Sequence, residues 1–318
     1  INMSLISKYN VAAPRYTSYP TVPYWEEDTF NQESWKALMK RSFIETNGKE
    51  GISLYIHLPF CEKLCTYCGC NKYITINHQV ETPYIDALLK EWELYLAVFE
   101  GKPRIKEIHL GGGTPTFFSA GHLNNLLDRI YATAEILPEA SLSFEGHPAN
   151  TTKEHLQTLY DLGFRRISLG IQDFDIKVQE IINRIQPVEM VAEVVNNARS
   201  IGYTSINFDL IYGLPLQTAA GMRETISEVV KLRPDRISFY SYAHVPWIKG
   251  TGQRRYTEAD LPREDEKRRL YELGKSLFYM NGYTEIGMDH FALPGEELSE
   301  AFETGKLACQ MLLRSLEE

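Results

Sequence analysis

From residue 50 onward the spacing of apolar and polar positions changes rhythm in a regular way. Short stretches rich in β-branched and aromatic residues alternate with longer ones whose apolar positions follow an i, i+3, i+4, i+7 stripe. The first kind predicts strands. They are SLYIHL from Ser53, IKEIHL from Ile105, SLSFE from Ser141, RRISLGI from Arg165, TSINFDLI from Thr204, RISFYSY from Arg236 and YTEIGM from Tyr283. The second kind predicts amphipathic helices, of which TPYIDALLKEWELYLAVF is the clearest. Thr82 reads as its N-cap, Pro83 suits the first helical position, and Ile85, Leu88, Leu89, Trp92, Leu96 and Phe99 form the stripe. GHLNNLLDRIYATA, TKEHLQTLYDLG, PVEMVAEVVNNARSIG and AAGMRETISEVVKL are similar, and several helices close on a glycine.

Strand–helix alternation of this kind predicts a parallel sheet with right-handed crossovers. Six or seven units suggest an open or nearly closed (β/α) barrel, whose chemistry gathers at the C-terminal ends of the strands. The expected division is an N-terminal extension over 1–48, which lacks the rhythm, an α/β barrel over 49–295, and the start of a C-terminal region over 296–318.

Composition narrows the function classes. With 43% apolar residues in 318, the chain can bury a sizeable core, and no run approaches the roughly 20 apolar residues of a membrane span. INMSLISKYN has no apolar h-region, so no signal peptide is expected. Four of the five cysteines lie in CEKLCTYCGC, residues 61–70, which does not resemble a disulfide framework and points to a reducing cytoplasm. The net charge of −9 argues against non-specific nucleic-acid binding but not against a small anionic substrate, which needs only local Arg and Lys.

Cys61, Cys65 and Cys68 form CxxxCxxC directly after the first predicted strand, with Cys70 two residues on. Zinc is one reading, but structural zinc usually takes four ligands in two separated pairs, and no second pair exists; His57 or Cys70 would have to complete the set. A redox CxxC at Cys65 and Cys68 is another. A four-iron cluster held by three thiolates explains the pattern better and leaves one iron open to a small molecule. At this position in a (β/α) barrel the spacing resembles the radical S-adenosylmethionine (SAM) superfamily. GGGTPT, Gly111 to Thr116, ends the next strand and resembles that superfamily's glycine motif.

Further stretches resemble the oxygen-independent coproporphyrinogen III oxidase (coproporphyrinogen dehydrogenase) family. They are PRYTSYPT at Pro14, LYIHLPFC at Leu54, CGCNK at Cys68, GIQDF at Gly170, NFDLIYGLP at Asn207, YAHVP at Tyr242 and IGMDHFA at Ile286. The resemblance runs from about Tyr9 to Lys306, after which the family continues into a helical C-terminal domain. It implies a partial (β/α)6-type barrel, one 4Fe-4S cluster on Cys61, Cys65 and Cys68, and two SAM molecules. Tyr55 and Glu145 would serve the first SAM, Tyr67 would lie near the adenine, and Gly112, Gly113 and Thr114 would flank the SAM molecules. Gln172, Arg184, Asp209 and Ala243 would line the second. The implied reaction uses a 5′-deoxyadenosyl radical to take a hydrogen from a propionate β-carbon; carbon dioxide and an electron then leave, and two of four propionates become vinyl groups, giving protoporphyrinogen IX in heme biosynthesis. A one-electron reductant such as a flavodoxin system and a monomeric state follow from the same resemblance, while the charge and the lack of an apolar span lead to the expectation of no nucleic-acid or membrane partner.

Several residues carry a plainer reading beside the functional one. Asp209 can be a helix cap, Arg184 a surface residue on a helix, Cys70 a small packed residue. His57, His109, His147, His244 and His290 all fall near predicted strand ends, and a typical one is structural; His290 is the best candidate for handling substrate or a proton. Cys70 is expected to matter for activity without ligating the cluster. Arg15 is the first choice for a substrate carboxylate, because buried carboxylates need guanidinium partners, and Tyr16 and Tyr19 would close over it. His147 stands where the family more often has an Asp, and Cys309 has no assigned role. The competing functions are a radical SAM heme chaperone and an anaerobic heme-degrading methyltransferase. Cys70 and PRYTSYPT argue against both, and stoichiometric heme binding without decarboxylation would favour the chaperone.

Overall fold

Polar and apolar positions alternate along the central strands, and that alternation sets the architecture. The computed structural model describes residues 31–246, 252, 253 and 255–306. Six parallel strands, β1 (Ile52–Leu58), β4 (Arg104–Gly112), β5 (Glu135–Gly146), β6 (Arg166–Gln172), β7 (Ser205–Tyr212) and β8 (Arg236–Ser241), pair in chain order into an open barrel. Two short strands, β2 (Phe60–Cys61) and β3 (Tyr73–Ile74), form a separate parallel ribbon around the cysteine loop. The helices are α1 (Gln32–Asn47), α2 (Glu81–Val98), α3 (Ala120–Thr133), α4 (Lys153–Asp161), α5 (Ile176–Ile181), α6 (Val188–Ile201), α7 (Ala219–Leu232), α8 (Glu264–Met280) and α9 (Glu297–Glu303). In turn, α2, α3, α4, α6, α7 and α8 pack side by side.

One set of strand side chains, including Ile108, Leu110, Phe144, Leu169, Phe208 and Phe239, is fully buried in one core cluster with helix residues such as Ile85, Leu123, Leu156, Val191 and Phe278. Burying each such side chain contributes about 1.5–3 kcal/mol. The alternate set is His109, Ser143, Glu145, Ser168, Asn207 and Asp209. It forms a polar lumen tied by hydrogen bonds from strand to strand. A packed (β/α) barrel fills this space with branched apolar residues; here it is kept polar.

The differences from expectation have local causes. YTEIGM is not a seventh parallel barrel strand paired to the sixth. Strand β10 (His290–Ala292) inserts antiparallel against β8, and β9 (Thr284–Gly287) pairs antiparallel to β10 at the edge. Met288 (φ 48°) and Asp289 (φ 67°) turn this hairpin in left-handed backbone, the requirement of a tight two-residue turn. Helix α2 begins at Glu81 with Val80 as its N-cap, because a 3-10 turn over His78–Val80 runs straight into it, so Thr82 lies inside the first turn. Strand β5 starts at Glu135, earlier than the SLSFE stretch; a register shift opposite Ile105 and Glu107 absorbs the region around Pro138. The 1–48 segment contains α1, capped by Asn31, whose side chain accepts from Ser34 N at 2.8 Å. Only Phe43 of α1 is buried, stacked on Phe99 at 4.2 Å, so the stripe in sequence is faint.

Candidate active site

The cysteine loop leaves β1 and crosses the mouth of the barrel. Cys61, Cys65 and Cys68 are partly buried, Cys70 is exposed, and none of the four is in a disulfide. The Thr114 hydroxyl donates to Cys61 Sγ at 3.3 Å, which brings the loop onto the glycine motif at the end of β4. Gly113 is required there, since a Cβ would meet Pro59 O at 2.5 Å and Cys61 Sγ at 3.0 Å. The Arg184 guanidinium donates to Cys65 Sγ at 3.6 Å and to Gly170 O at 2.6 Å. It lies so close over β6 that a Cβ on Gly170 would stand 2.8 Å from Arg184 Nη2. Burial pushes the Cys61 thiol up to about 11. Cys68 is lowered to about 6, chiefly by its hydrogen bond with Cys70, which outweighs burial. Burial disfavours the charge on Arg184, yet Tyr67 and Cys65 together hold it above the usual arginine value.

Cys61, Cys65 and Cys68 lie close enough for their charges to act on one another, and Cys70 is hydrogen-bonded to Cys68. Among the described residues no group of three or more His, Cys, Asp or Glu converges on a position for a single metal ion. Three thiols around one loop, a glycine cradle with no room for side chains, and a guanidinium facing the sulfurs suit an anionic four-iron cluster, so the residues present fit that group.

Beside the loop, Glu145 at the end of β5 accepts from Gly112 N at 3.3 Å and faces His109 Nε2 at 3.2 Å. Tyr55 stacks along His109 and meets His57 Nδ1 through its hydroxyl at 3.1 Å. Gln172 ends β6 in left-handed backbone (φ 66°) and is buried; a strained residue of this kind at a strand end is a mark of a working site. Tyr67 and Ala243 are joined through Gln253, whose amide donates to both carbonyls at 3.1 Å. The structure therefore brings Tyr55, Tyr67, the three cysteines, Gly112, Gly113, Thr114, Glu145, Gln172, Arg184 and Ala243 to one end of the barrel.

Other residues lie elsewhere. Asp209 neither ends its strand nor caps a helix: it sits within β7, in the lumen, accepting from Ser168 Oγ and Asn207 Nδ2, each at 2.7 Å. Helix α7 takes its cap from Thr218. Arg184 is not on a helix but two residues past the C-cap region of α5. His290 opens β10 opposite Ser238 rather than closing a strand, is 1% exposed, and meets Met288 O at 2.7 Å and Tyr240 OH at 3.3 Å. It borders a polar cavity of about 40 Å³ with Arg166, Asn207 and Arg236. Arg15, Tyr16, Tyr19 and Cys309 lie outside the described residues. Sequence reasoning missed Asp173 and Gln186. Asp173 is buried and takes hydrogen bonds from Thr225 Oγ1 and Gln217 Nε2 at 2.6 Å, while Gln186 donates to Gly170 O and Ile171 O. The GIQDF and RIQP stretches held both, but polar residues beside a strand end look the same in a loop.

His147 follows Glu145 by two residues, and burial, with the nearby charges of Arg184 and Lys63, lowers it well below the usual histidine value. It therefore stays neutral in the fold while the unfolded chain takes up a proton below about pH 6.5. Stability is complete above that pH and declines as pH falls from about 6.5 toward the depressed folded value, by up to about 1.4 kcal/mol per pH unit for one proton. Denaturant unfolding of metal-free His147→Gln from pH 7.5 to 5.0 is expected to show a shallower decline than the parent; parallel curves would remove His147 from this role.

Residues 55–229 match the radical SAM superfamily. The oxygen-independent coproporphyrinogen III oxidase of Helicobacter pylori strain J99 is 44% identical over 313 residues, covering 96% of this chain and 67% of that protein. The Escherichia coli K12 enzyme of the same name is 39% identical over 306 residues, covering 96% and 65%. A solved structure of coproporphyrinogen III oxidase from Escherichia coli, described as a radical SAM enzyme, superposes with a TM-score of 0.86 at 38% identity over 94% of this chain and 66% of that one. The chain thus spans about two thirds of the length of the relatives it matches. Among the described residues no helix is long and apolar enough to cross a membrane. On these likenesses, this chain belongs to the oxygen-independent coproporphyrinogen III oxidase family of the radical SAM superfamily.

Proposed function

We propose that this chain performs the anaerobic oxidative decarboxylation of two propionates of coproporphyrinogen III to vinyl groups, giving protoporphyrinogen IX. The observation that carries the reading is the meeting of Cys61, Cys65 and Cys68 with the Gly112–Glu145 contact at one barrel end, in a chain whose relatives are named oxygen-independent coproporphyrinogen III oxidase. Cys61, Cys65 and Cys68 would hold the 4Fe-4S cluster, with SAM as its partner. When bound, the cluster and SAM supply the one-electron chemistry that generates a 5′-deoxyadenosyl radical.

The protein's own residues bind, orient and exclude water. Glu145, held by Gly112 N, presents an acceptor to the amino group of the first SAM, with Tyr55, Gly113 and Thr114 around it and Tyr67 toward the adenine. Gln172, Arg184, Asp209 and Ala243 serve the second SAM, Asp209 from its place in the lumen. Cys70 and His290 act on the substrate side, and Arg15 pairs with a propionate carboxylate. Residues 49–295 form the catalytic barrel, 1–48 contribute to the substrate pocket, and 296–318 begin a further region. The protein works as a cytoplasmic monomer, takes electrons from a carrier such as flavodoxin, and has no nucleic-acid or membrane partner.

Glu145→Gln keeps size and one acceptor but loses the charge. Anaerobic titration of reconstituted protein with SAM, followed by the electron paramagnetic resonance of the reduced cluster, is expected to show affinity weakened by roughly tenfold to a hundredfold, the loss of a charged hydrogen bond. SAM that leaves the parent's cluster signal unchanged at any concentration would overturn the reading.

A further inference from the structure

Between Leu64 and Tyr67 four backbone polar groups are held by distant parts of the chain. Asn183 Nδ2 donates to Leu64 O at 2.8 Å. Thr66, fully buried, donates its N–H to Ile182 O at 2.9 Å and its hydroxyl to Ile181 O at 3.0 Å. Tyr256 OH donates to Thr66 O at 3.3 Å, and Gln253 Nε2 to Tyr67 O at 3.1 Å. Lys72 Nζ closes the far end on Cys68 O and Cys70 O.

The anchor for the first half is the C-terminus of α5. Its chain turns at Asn183 in left-handed backbone (φ 57°), with Asn183 N donating to Glu180 O and Arg184 N to Gln179 O at 2.8 Å. That paired pattern is a Schellman cap, and asparagine tolerates the conformation. A helix end leaves its last carbonyls without intrahelical donors. Here Thr66 supplies two donors to them, and Asn183 returns one to the loop. Helix end and cysteine loop cap each other. The same turn aims the next side chain, Arg184, at Cys65 Sγ.

We propose that Thr66 and Asn183 are positioning residues that set the cysteine loop in its ligand-holding shape before the cluster is loaded. This rests on the cluster reading above. In small metal-organised domains the ion supplies the order; here the α5 cap does. Because α5 follows β6, the cap also links the cluster loop to the segment carrying Gln172 and Arg184.

The test pairs two measurements on Thr66→Val, Thr66→Ser and Asn183→Gly. Valine keeps the shape and removes the hydroxyl, serine restores the hydroxyl, and glycine keeps the left-handed turn while removing the amide. In metal-free protein, hydrogen exchange at residues 61–70 is expected to be slow in the parent and at least about tenfold faster in Thr66→Val and Asn183→Gly, with Thr66→Ser near the parent. In reconstituted protein the same two variants are expected to release iron to a chelator roughly 10- to 100-fold faster, the usual effect of losing an outer-shell support. Unchanged far-ultraviolet dichroism guards against general unfolding. Parent loop amides that exchange as fast as an unstructured chain, or variants equal to the parent in both measurements, would overturn the proposal. If the parent takes up no iron, the cluster reading fails instead, and the metal-free exchange still decides whether the cap shapes the loop.

Discussion

Replacing Cys65 by serine is expected to leave the barrel folded and to abolish both the four-iron cluster and SAM cleavage. A serine hydroxyl does not ionise at working pH, so the cluster would keep only the ligands Cys61 and Cys68. Among the described residues the other thiol of the loop is Cys70, exposed and hydrogen-bonded to Cys68, with its carbonyl held by Lys72; on this reading it has no part in holding the cluster. Arg184 would lose its sulfur partner but keep Gly170 O. Metal-free stability should therefore change by no more than about 0.5 kcal/mol, as for partly exposed substitutions. Iron analysis and visible absorption after anaerobic reconstitution check the first part, and 5′-deoxyadenosine release checks the second. A Cys65→Ser protein with full iron content and SAM cleavage would mean that another residue holds the cluster. Zinc bound stoichiometrically by the parent in place of iron would revive the zinc reading.

The second large effect is on stability and lies away from the chemistry. Arg236 at the start of β8 and Glu296, the N-cap of α9, form an ion pair in which both side chains are 5% exposed. Glu296 also accepts from Ser205 Oγ at 3.3 Å and Leu298 N at 2.7 Å. Arg236→Met would leave that carboxylate buried without its cation, which costs about 3–5 kcal/mol. The double variant Arg236→Met, Glu296→Leu removes the stranded charge and should recover most of the loss, short of the helix cap worth about 1 kcal/mol. Chemical denaturation of the metal-free protein measures both. A single variant that loses less than about 1 kcal/mol would show that the pair reaches solvent.

The parts of this molecule that could be read from sequence are those whose signal is local. The cysteine spacing, the glycine motif and the strand–helix rhythm each occupy a few consecutive residues, and all three led to the right barrel and the right family. The faint elements were those with little burial, such as α1, or with unusual turn chemistry, such as Met288–Asp289 in place of an Asn-Gly turn. The polar lumen was present in the sequence as ISLGI, INFDLI and RISFYS, where small polar residues alternate with large apolar ones. Fully buried parallel strands normally read as continuous apolar runs, so that alternation was itself the sign of a hydrated or ligand-bearing interior. What sequence could not give is pairing across distance. Asn183 meets Leu64, and Arg184 meets Cys65, each across 119 positions. Asp209 was weighed as a strand-end cap although it lies inside the predicted TSINFDLI stretch; β7 runs three residues past it, to Tyr212.

The measurement that tests the central claim most directly is anaerobic turnover. Reconstituted, dithionite-reduced protein is mixed with SAM and coproporphyrinogen III, and nucleoside and porphyrin products are followed by mass spectrometry. The account predicts substrate-dependent 5′-deoxyadenosine together with a product that has lost two carboxyl groups. SAM cleavage with the substrate's carboxyl groups intact, or heme bound stoichiometrically with no decarboxylation, would contradict it.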